Sequence, residues 1–284
     1  MTRSVTLPAP AKINLALAVT GERGDGYHEI RSVFATIDLA DRVRVAPHRR
    51  LEVRIAPDVG AGPGEDLASR AVRAMAAATG RAPAAFVHIR KRVPVAAGLG
   101  GGSSDAGAVL RALATIWRRE DVDLVALGAT VGSDVPFFAS GARVAFVGGR
   151  GERVEPLPDP PETYVVIVRS RARLATKDVF AALRREDRVA GTAVETVRDA
   201  LAGRSTTPQL FRDNMRNDLL GPAERLCAEI AESRSLAARQ GIALALSGSG
   251  PTLFAIADDR RDSLRMARTL RRAGLAAHAQ TMAG

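Results

Sequence analysis

The sequence has few of the residues on which several kinds of protein depend. It holds one cysteine among 284 residues, so an internal disulfide is excluded and a zinc site would lack paired cysteines. No run approaches the ~20 consecutive apolar residues of a membrane helix, and the N-terminal stretch MTRSVTLPAPAKINLALAV lacks a signal-peptide cleavage pattern. We therefore expect a cytoplasmic protein with no membrane partner.

Lysine is scarce in a chain that is otherwise strongly basic. Of the 41 Lys and Arg residues only three are lysine: Lys12, Lys91 and Lys177. An ammonium is a compact point charge that a guanidinium does not replace at a phosphate or proton-transfer site, so these positions are candidates for such sites. The net charge of +10 is spread over the chain, which favours a solvated basic surface. Binding of an anionic substrate or of RNA remains an alternative explanation of the charge.

Length and pattern indicate two domains of α+β type. A chain of 284 residues exceeds the roughly 100–200 residues of one domain, and the acidic, proline-rich stretch LPDPPET (157–163) is typical of a hinge. We place the domains at 1–157 and 158–284. The early connections are too short for helical crossovers, which predicts an antiparallel sheet. In the second domain we expect helices on one face of an antiparallel sheet.

Hydrophobic periodicity predicts the individual elements. In the first domain the predicted strands are 12–19, 29–39, 41–47, 51–55, 84–94 and a hairpin over 141–157, and the predicted helices are 64–79, 121–131 and one that Ser103 or Ser104 caps. In the second domain the predicted strands are 163–168, 242–248, 252–258 and a short C-terminal one, and the predicted helices are 175–186, 192–202, 220–239 and 262–273.

The stretch VPVAAGLGGGSSDAG (93–107) places many glycines where a strand passes into a helix. Glycine lets another group approach the main chain, so the stretch predicts a cradle in which backbone N–H groups bind phosphate oxygens. It matches neither GxxxxGK[ST] nor GxGxxG. A glycine-rich turn without a ligand is the alternative.

Three stretches in order resemble the motifs of the GHMP kinases, namely PAKINLAL, PVAAGLGGGSS and LSGSGPTLFA. The resemblance implies a two-domain α+β fold with a ribosomal-protein-S5-domain-2-like N-terminal domain and a ferredoxin-like C-terminal domain. DGYHEI, GSDVPFF, ATKDVF and NDL are similar to the superfamily members of the non-mevalonate isoprenoid pathway, which phosphorylate the 2-hydroxyl of a cytidine diphosphate conjugate of methylerythritol with ATP.

That resemblance implies roles for particular residues. The catalytic pair would be Lys12 and Asp134. The ATP-binding residues would be Lys91, Pro94, Gly98, Leu99, Gly100, Gly101, Gly102, Ser103 and Ser104. The substrate-binding residues would be Asn14, Tyr27, His28, Thr176, Phe180, Ser247, Gly248, Ser249 and Gly250. Mg²⁺ is expected with ATP, but no metal ligand is assigned; Ser103, Ser104 and Asp105 are candidates.

The residues themselves support these roles and leave alternatives open. Lys12 and Asn14 are two apart on a strand and share a face, although Lys12 also fits an edge-strand solubility residue. Asp134 can accept a proton late in phosphoryl transfer, or cap a helix. Tyr27 and His28 follow a turn and can recognise a base, or they are incidental surface residues, and Phe180 alone would be assigned to a helix core.

The expected partner is a small molecule, with no nucleic acid, and the chain is expected to be a monomer or weak homodimer. Another GHMP kinase and an RNA-binding module are the rival interpretations. The RNA module would require a contiguous basic face.

Overall fold

The computed structural model describes residues 4–58, 60 and 66–282, which form ten strands and ten α-helices. The strands are β1 (Val5–Glu22), β2 (His28–Pro47), β3 (Glu52–Ala56), β4 (Ala85–Arg90), β5 (Val144–Gly149), β6 (Arg153–Pro156), β7 (Thr163–Arg169), β8 (Ala245–Leu246), β9 (Leu253–Ala257) and β10 (Ala276–Met282). The helices are α1 (Leu67–Thr79), α2 (Gly101–Trp117), α3 (Leu124–Val131), α4 (Val135–Ser140), α5 (Thr176–Ala181), α6 (Gly191–Ala202), α7 (Pro208–Asn214), α8 (Leu220–Leu226), α9 (Ala228–Ala238) and α10 (Arg260–Arg272).

The first sheet is built on the long antiparallel hairpin of β1 and β2. The predicted strands 29–39 and 41–47 are one strand, β2, whose first half pairs with β5 and second half with β4. The expectation of an antiparallel start is wrong for β3, which runs parallel to β4 at the sheet edge. The reason is α1, which lies between β3 and β4 and supplies the crossover that parallel pairing needs.

Two helices cover one face of this sheet. α1 begins after Asp66, whose carboxylate accepts a hydrogen bond from the Ser69 N–H, and ends at Gly80 in a left-handed conformation (φ +63°). The predicted positions 64 and 65 lie outside the described residues. α1 and α2 pack their apolar sides together against β2 and β4 around Val43, Val72, Val87, Val109 and Leu113.

α2 begins directly on the glycine loop. Its N-terminal boundary is Gly100, in a left-handed conformation (φ +69°), and no side chain caps it. The prediction that Ser103 or Ser104 caps this helix is therefore wrong, because both serines already lie within its first turn and a half. The first N–H groups of α2 remain directed into the space in front of the loop.

The second sheet has the strand order β10-β7-β9-β8 and the chain order βαββαβ, which is the predicted ferredoxin-like arrangement. The expectation that helices cover one face is wrong. Val165 and Ile167 face α6 and β1, whereas Val166 and Val168 face α9 and α10. The strands TYVVIV and TLFAIA are continuously apolar rather than alternating, as sheets buried on both faces require.

The helices of the second half are shorter than predicted. The segment 220–239 forms two helices that meet at Cys227, which has an extended backbone (φ −145°, ψ 97°). The segment 175–186 forms α5 followed by one 3₁₀ turn at Arg185–Asp187. α7 was not predicted.

Described segments connect the two halves of the chain. The segment 157–162 links β6 to β7, Met282 pairs with Ile37, and Leu17 pairs with Asn217. A shared apolar cluster includes residues from β1, β7, β9 and α6. The domain boundary at 157/158 remains a prediction. In the described part of the chain, no helix is both long and apolar enough to cross a membrane.

Candidate active site

One large cleft of about 900 Å³ lies between the β1–β2 turn, the glycine loop and the turn after β8. The predicted site residues that line it are Lys12, Asn14, Tyr27, His28, Lys91, Pro94, Gly98, Gly100, Gly101, Gly102, Ser103, Asp134, Thr176, Phe180, Gly248 and Ser249. Four others are buried behind its wall: Leu99, Ser104, Ser247 and Gly250. The structure therefore brings most of the predicted residues to one surface.

Lys12 lies in the middle of β1, and its side chain is held by neighbours on the same face. Its Nζ donates to Asn14 Oδ1 at 2.6 Å, and Asn14 Nδ2 donates to Ser32 Oγ at 2.9 Å. The Lys12 backbone N–H donates to the carbonyl of Leu99 at 2.9 Å, so the strand also anchors the glycine loop. Two-residue spacing on a strand places both side chains on one face, as predicted.

The Lys12 ammonium is buried, with only 3% of the residue exposed. It lies 3.7 Å from Asp134 Oδ2 and 4.5 Å from the centre of the Phe34 ring. Burial lowers the pKa of Lys12, and the nearby carboxylate of Asp134 opposes that effect. An edge-strand solubility role is excluded by this burial.

Asp134 precedes α4 but does not cap it. Its side chain accepts no hydrogen bond from the first turn of that helix, and 29% of the side chain is exposed. The carboxylate faces Lys12 across the cleft instead. A carboxylate in this position can orient a hydroxyl and accept its proton, while the ammonium beside it stabilises negative charge.

The glycine loop is locked to its neighbours where it lacks side chains. Gly98 has φ +73°, and a Cβ there would lie 2.3 Å from the carbonyl oxygen of Ser247. Gly100 has φ +69°, and its Cβ would lie 3.1 Å from Lys12 Cγ. Only glycine satisfies both the dihedral angle and the close approach at these positions.

The turn after β8 closes over the loop from the second half of the chain. Ser247 Oγ donates to the carbonyl of Gly98 at 3.0 Å. A Cβ on Gly248 would lie 3.1 Å from Lys12 Nζ, so this turn passes directly beside the ammonium. The motif LSGSGPTLFA thus contacts the site through its backbone.

Asn217 fixes that turn. Its Nδ2 donates to the carbonyls of Leu246 (2.9 Å) and Gly248 (2.8 Å), and its Oδ1 accepts from the Leu219 N–H at 2.9 Å. Every polar atom of this buried amide is therefore satisfied. The sequence shows the family resemblance of NDL, which begins at Asn217, but assigns Asn217 no role.

Lys91 is bound by two carboxylates. Its Nζ lies 2.5 Å from Asp41 Oδ2 and 2.8 Å from Asp105 Oδ2, and Asp41 Oδ1 also accepts from the Val93 N–H at 2.8 Å. Burial raises the pKa of Asp105 to about 7 against the opposing charge of Lys91. Burial would lower the pKa of Lys91, but the two carboxylates outweigh it and raise that pKa. No pattern in the sequence indicated a role for Asp41.

Aromatic and hydroxyl side chains form the far end of the cleft. The His28 and Phe180 rings stack with centroids 4.8 Å apart, and Thr176 Oγ1 lies 3.0 Å from Ser249 Oγ. Tyr27 is 46% exposed. These residues come from the β1–β2 turn, α5 and the turn after β8.

Arg150 is a charged cleft residue that the sequence analysis did not identify. Its guanidinium carbon lies 5.0 Å from the centre of the Tyr27 ring, and its Nη2 donates to the carbonyl of Ala129 at 3.0 Å. It is one of many arginines in the chain, and nothing in the pattern around it sets it apart.

The contacts order the cleft from one end to the other. Lys91 lies beside Gly101 at the start of α2, with its Nζ 3.3 Å from where a Cβ would stand. Lys12 and Asp134 lie beyond the glycine loop, and the His28 side of the cleft follows past Gly248 and Ser249. The basic and acidic pair is thus positioned between a backbone-rich end and an aromatic end.

The described ranges contain no group of three or more His, Cys, Asp or Glu residues arranged to hold a metal ion. Asp105 is bound to Lys91, and Asp134 lies in the cleft beside Lys12.

Comparison with known proteins identifies the family of the chain. Residues 66–142 match the family model for the GHMP kinases N terminal domain, and residues 197–276 match the model for GHMP kinases C terminal. The chain is 41% identical over 270 residues to a 4-diphosphocytidyl-2-C-methyl-D-erythritol kinase of Thermus thermophilus, covering 94% of this chain and 93% of that one. It is 39% identical to the kinase of that name from Cereibacter sphaeroides, with 93% and 94% covered.

Solved structures give the same picture. A crystal structure of a 4-(cytidine 5'-diphospho)-2C-methyl-D-erythritol kinase matches with a TM-score of 0.80 and 38% identity, covering 99% of this chain and 100% of the other. A homoserine kinase from Cytophaga hutchinsonii matches with a TM-score of 0.75 and 17% identity, covering 100% and 95%, and shows the shared fold alone.

Proposed function

Because the chain belongs to the 4-diphosphocytidyl-2-C-methyl-D-erythritol kinase family of the GHMP kinases, we propose that its cleft transfers the γ-phosphoryl group of ATP to the 2-hydroxyl of 4-diphosphocytidyl-2-C-methyl-D-erythritol. The chain is a small-molecule kinase with an alcohol acceptor. The observation that carries the residue-level proposal is the Lys12–Asp134 pair, set between a glycine loop and an aromatic end of one cleft.

The donor binds at the glycine loop. Gly98 to Gly102 lead into the 17-residue helix α2, whose first N–H groups lack partners within the helix and whose dipole favours negative charge. Pro94 and Ser103 line the same wall, while Leu99 and Ser104 support it from behind. Lys91 contributes through its ion pairs with Asp41 and Asp105, which fix the strand end in front of α2.

Lys12 and Asp134 carry the chemistry. Asp134 orients the acceptor hydroxyl and accepts its proton as the new oxygen–phosphorus bond forms and the bond from the γ-phosphorus to ADP breaks. Lys12 holds positive charge beside the transferring group, and Asn14 fixes the direction of its ammonium. The proton then passes from Asp134, which is partly exposed, to solvent.

The acceptor binds at the aromatic end. Tyr27 offers an exposed ring face for a cytosine base, His28 and Phe180 form a stacked pair beside it, and Thr176 and Ser249 supply hydroxyl groups. Gly248 allows the acceptor to pass close to the backbone beside Lys12, with Ser247 and Gly250 holding the turn.

Magnesium enters with ATP as part of the substrate. Mg²⁺ bound with ATP would neutralise charge on the phosphates; Asp134 and the Ser103 hydroxyl are cleft oxygens that could face it, while the N–H groups of the glycine loop would face the phosphates. The small number of free carboxylates in the cleft fits an ion held mainly by phosphate oxygens and water.

An ADP-release assay with an acceptor panel tests this proposal. We expect ADP release with 4-diphosphocytidyl-2-C-methyl-D-erythritol and release near background with galactose, homoserine and mevalonate, with the phosphorylated product identified by mass spectrometry. Faster turnover of any of the three controls would assign the chain to another GHMP kinase activity. Absence of ADP release with every acceptor would remove the kinase proposal.

A further inference from the structure

Four cationic side chains line the cleft: Lys12, Lys91, Arg150 and Lys177. The first two form ion pairs with aspartates. Among the residues that the structure describes, no carboxylate lies within ion-pair distance of the other two. Lys177 is exposed on α5, whereas Arg150 is partly buried. Arg150 is therefore the uncompensated cation that the fold holds in place.

Two contacts fix the Arg150 guanidinium. Nη2 donates to the carbonyl of Ala129 at 3.0 Å, and the guanidinium lies 5.0 Å from the centre of the Tyr27 ring. An arginine has five N–H donors, so one bond to a carbonyl leaves a donor edge available for another acceptor. The Tyr27 ring covers one face of the guanidinium, and Arg150 lines the cleft, so its remaining donors are at the cleft wall.

The turn that carries Arg150 is also tied to the loop before Asp134. Gly151 has φ +128°, and a Cβ on it would lie 2.1 Å from the carbonyl oxygen of Ser133. The β5–β6 turn and the loop before Asp134 are thus in backbone contact. Arg150 therefore precedes the glycine that meets the loop before Asp134, and its guanidinium lies beside the ring of Tyr27.

The covalent structure of the acceptor indicates which of its groups would lie beside Arg150. Its base is assigned to the aromatic end and its reacting hydroxyl to the Lys12–Asp134 pair, and a diphosphate joins these two parts. We propose that Arg150 binds the diphosphate of the acceptor and thereby selects nucleoside diphosphate conjugates over uncharged alcohols. This inference rests on the proposed function, because it takes the two ends of the acceptor from it.

The chemistry suits a specificity role. A guanidinium pairs with phosphate oxygens through parallel N–H···O bonds, and pre-ordering by Ala129 and Tyr27 reduces the entropy lost on binding. Arg150 touches neither the reacting hydroxyl nor the transferred phosphoryl group in this arrangement. Its removal should weaken acceptor binding and leave the chemical step nearly unchanged.

Calorimetric binding of three ligands to the Arg150→Met variant tests the inference. The probes are CDP, cytidine and ADP. We expect CDP to bind about 10- to 100-fold more weakly, the loss typical of one charge-assisted contact, with cytidine and ADP affinity unchanged. Arg153→Met is the matched control, because Arg153 lies on the same hairpin, is 64% exposed and pairs with Glu29 outside the cleft.

Each other outcome has a distinct meaning. Equal losses for cytidine and CDP would show that Arg150 only positions Tyr27, and a loss confined to ADP would place it on the donor phosphates; either result overturns the inference. Unchanged CDP binding would do the same. Failure of the wild-type protein to bind CDP or cytidine would contradict the proposed function itself, and the inference with it.

In steady-state assays of Arg150→Met, KM for the acceptor should rise while kcat stays within about threefold of wild type, and Arg150→Lys should restore part of the loss.

Discussion

At the residue scale, the central feature is an ammonium that the fold has removed from water. Lys12 has one neutral partner, Asn14, and one charged partner, Asp134, and burial outweighs the latter in lowering its pKa. A lysine in this state holds its proton less firmly than an exposed one, yet its charge acts over short distance in a water-poor site.

The lowered pKa of Lys12 predicts a pH limit on activity. As pH rises, kcat/KM for ATP should fall with an apparent pKa below the ordinary lysine value of 10.5, because the neutral amine no longer stabilises the phosphates. The Lys12→Arg variant should be slower but should lack this alkaline limb up to pH 10, since a guanidinium stays charged. An unchanged limb in Lys12→Arg would assign it to another group.

Asp105 predicts a pH dependence of stability. Its folded-state pKa of about 7 exceeds the ordinary 3.8, so between these values the folded chain binds a proton that the unfolded chain has released. The free energy of unfolding should therefore fall as pH rises through this window, by up to about 1.4 kcal/mol per pH unit.

Urea unfolding of wild type and Asp105→Asn at pH 4.5, 5.5, 6.5 and 7.5 measures this contribution. The amide cannot ionise and leaves the Lys91–Asp41 pair in place, so the curve of the variant should be flatter across the window. Parallel curves for the two proteins would mean that Asp105 titrates alike in the folded and unfolded states.

The sequence identified some of these residues and had no means of identifying others. The scarcity of lysine singled out Lys12, Lys91 and Lys177, all of which line the cleft. Arg150 and Asp41 could not be found, because arginine and aspartate are common in the chain and only the fold brings these two to Tyr27 and Lys91.

At the element scale, the glycine loop acts through close packing as well as through phosphate binding. Gly98 meets the backbone of the turn after β8, while Gly102 lies on the open side of α2 with only a Leu67 methyl at 3.7 Å from a Cβ. The two glycines therefore differ in what a side chain would cost the fold.

Alanine substitution separates these two roles. Gly98→Ala should lower the free energy of unfolding by at least about 2 kcal/mol, because it adds a left-handed alanine and a backbone clash at 2.3 Å. Gly102→Ala should leave stability unchanged or raise it by up to about 1 kcal/mol, since alanine favours a helix. Chemical denaturation measures both, and equal stability of the two variants would contradict the packing role of Gly98.

Element boundaries followed the local pattern except where tertiary contacts decided them. The break at Cys227 has no glycine or proline at the break itself to announce it. The two-faced burial of β7 and β9 could have been anticipated from their continuous apolar runs, because a strand exposed on one face alternates.

At the scale of the whole molecule, both halves of the chain build one cleft. The first half supplies Lys12, Asp134 and the glycine loop, and the second supplies Thr176, Phe180 and the turn after β8. The cluster that β1 shares with β7, β9 and α6 fixes the two halves against each other. The three separated motifs together predicted that distant segments form one site. No single motif predicted this.

The net charge has a local counterpart on the first sheet. Arg42 and Arg90 are direct cross-strand neighbours on the face away from α1 and α2, and Arg44 lies opposite His88. This strip is the basic face that the RNA-binding alternative required, but it lies outside the cleft lining, and the family comparisons are with small-molecule kinases.

The most direct test of the central claim is the rate of phosphoryl transfer in Lys12→Met and Asp134→Asn under single-turnover conditions with 4-diphosphocytidyl-2-C-methyl-D-erythritol. We predict rates about 10²- to 10⁴-fold below wild type, with ATP and CDP still raising the Tm of each variant, because chemistry is lost while both ends of the cleft remain. A wild-type rate in either variant would contradict the claim that phosphoryl transfer depends on this pair.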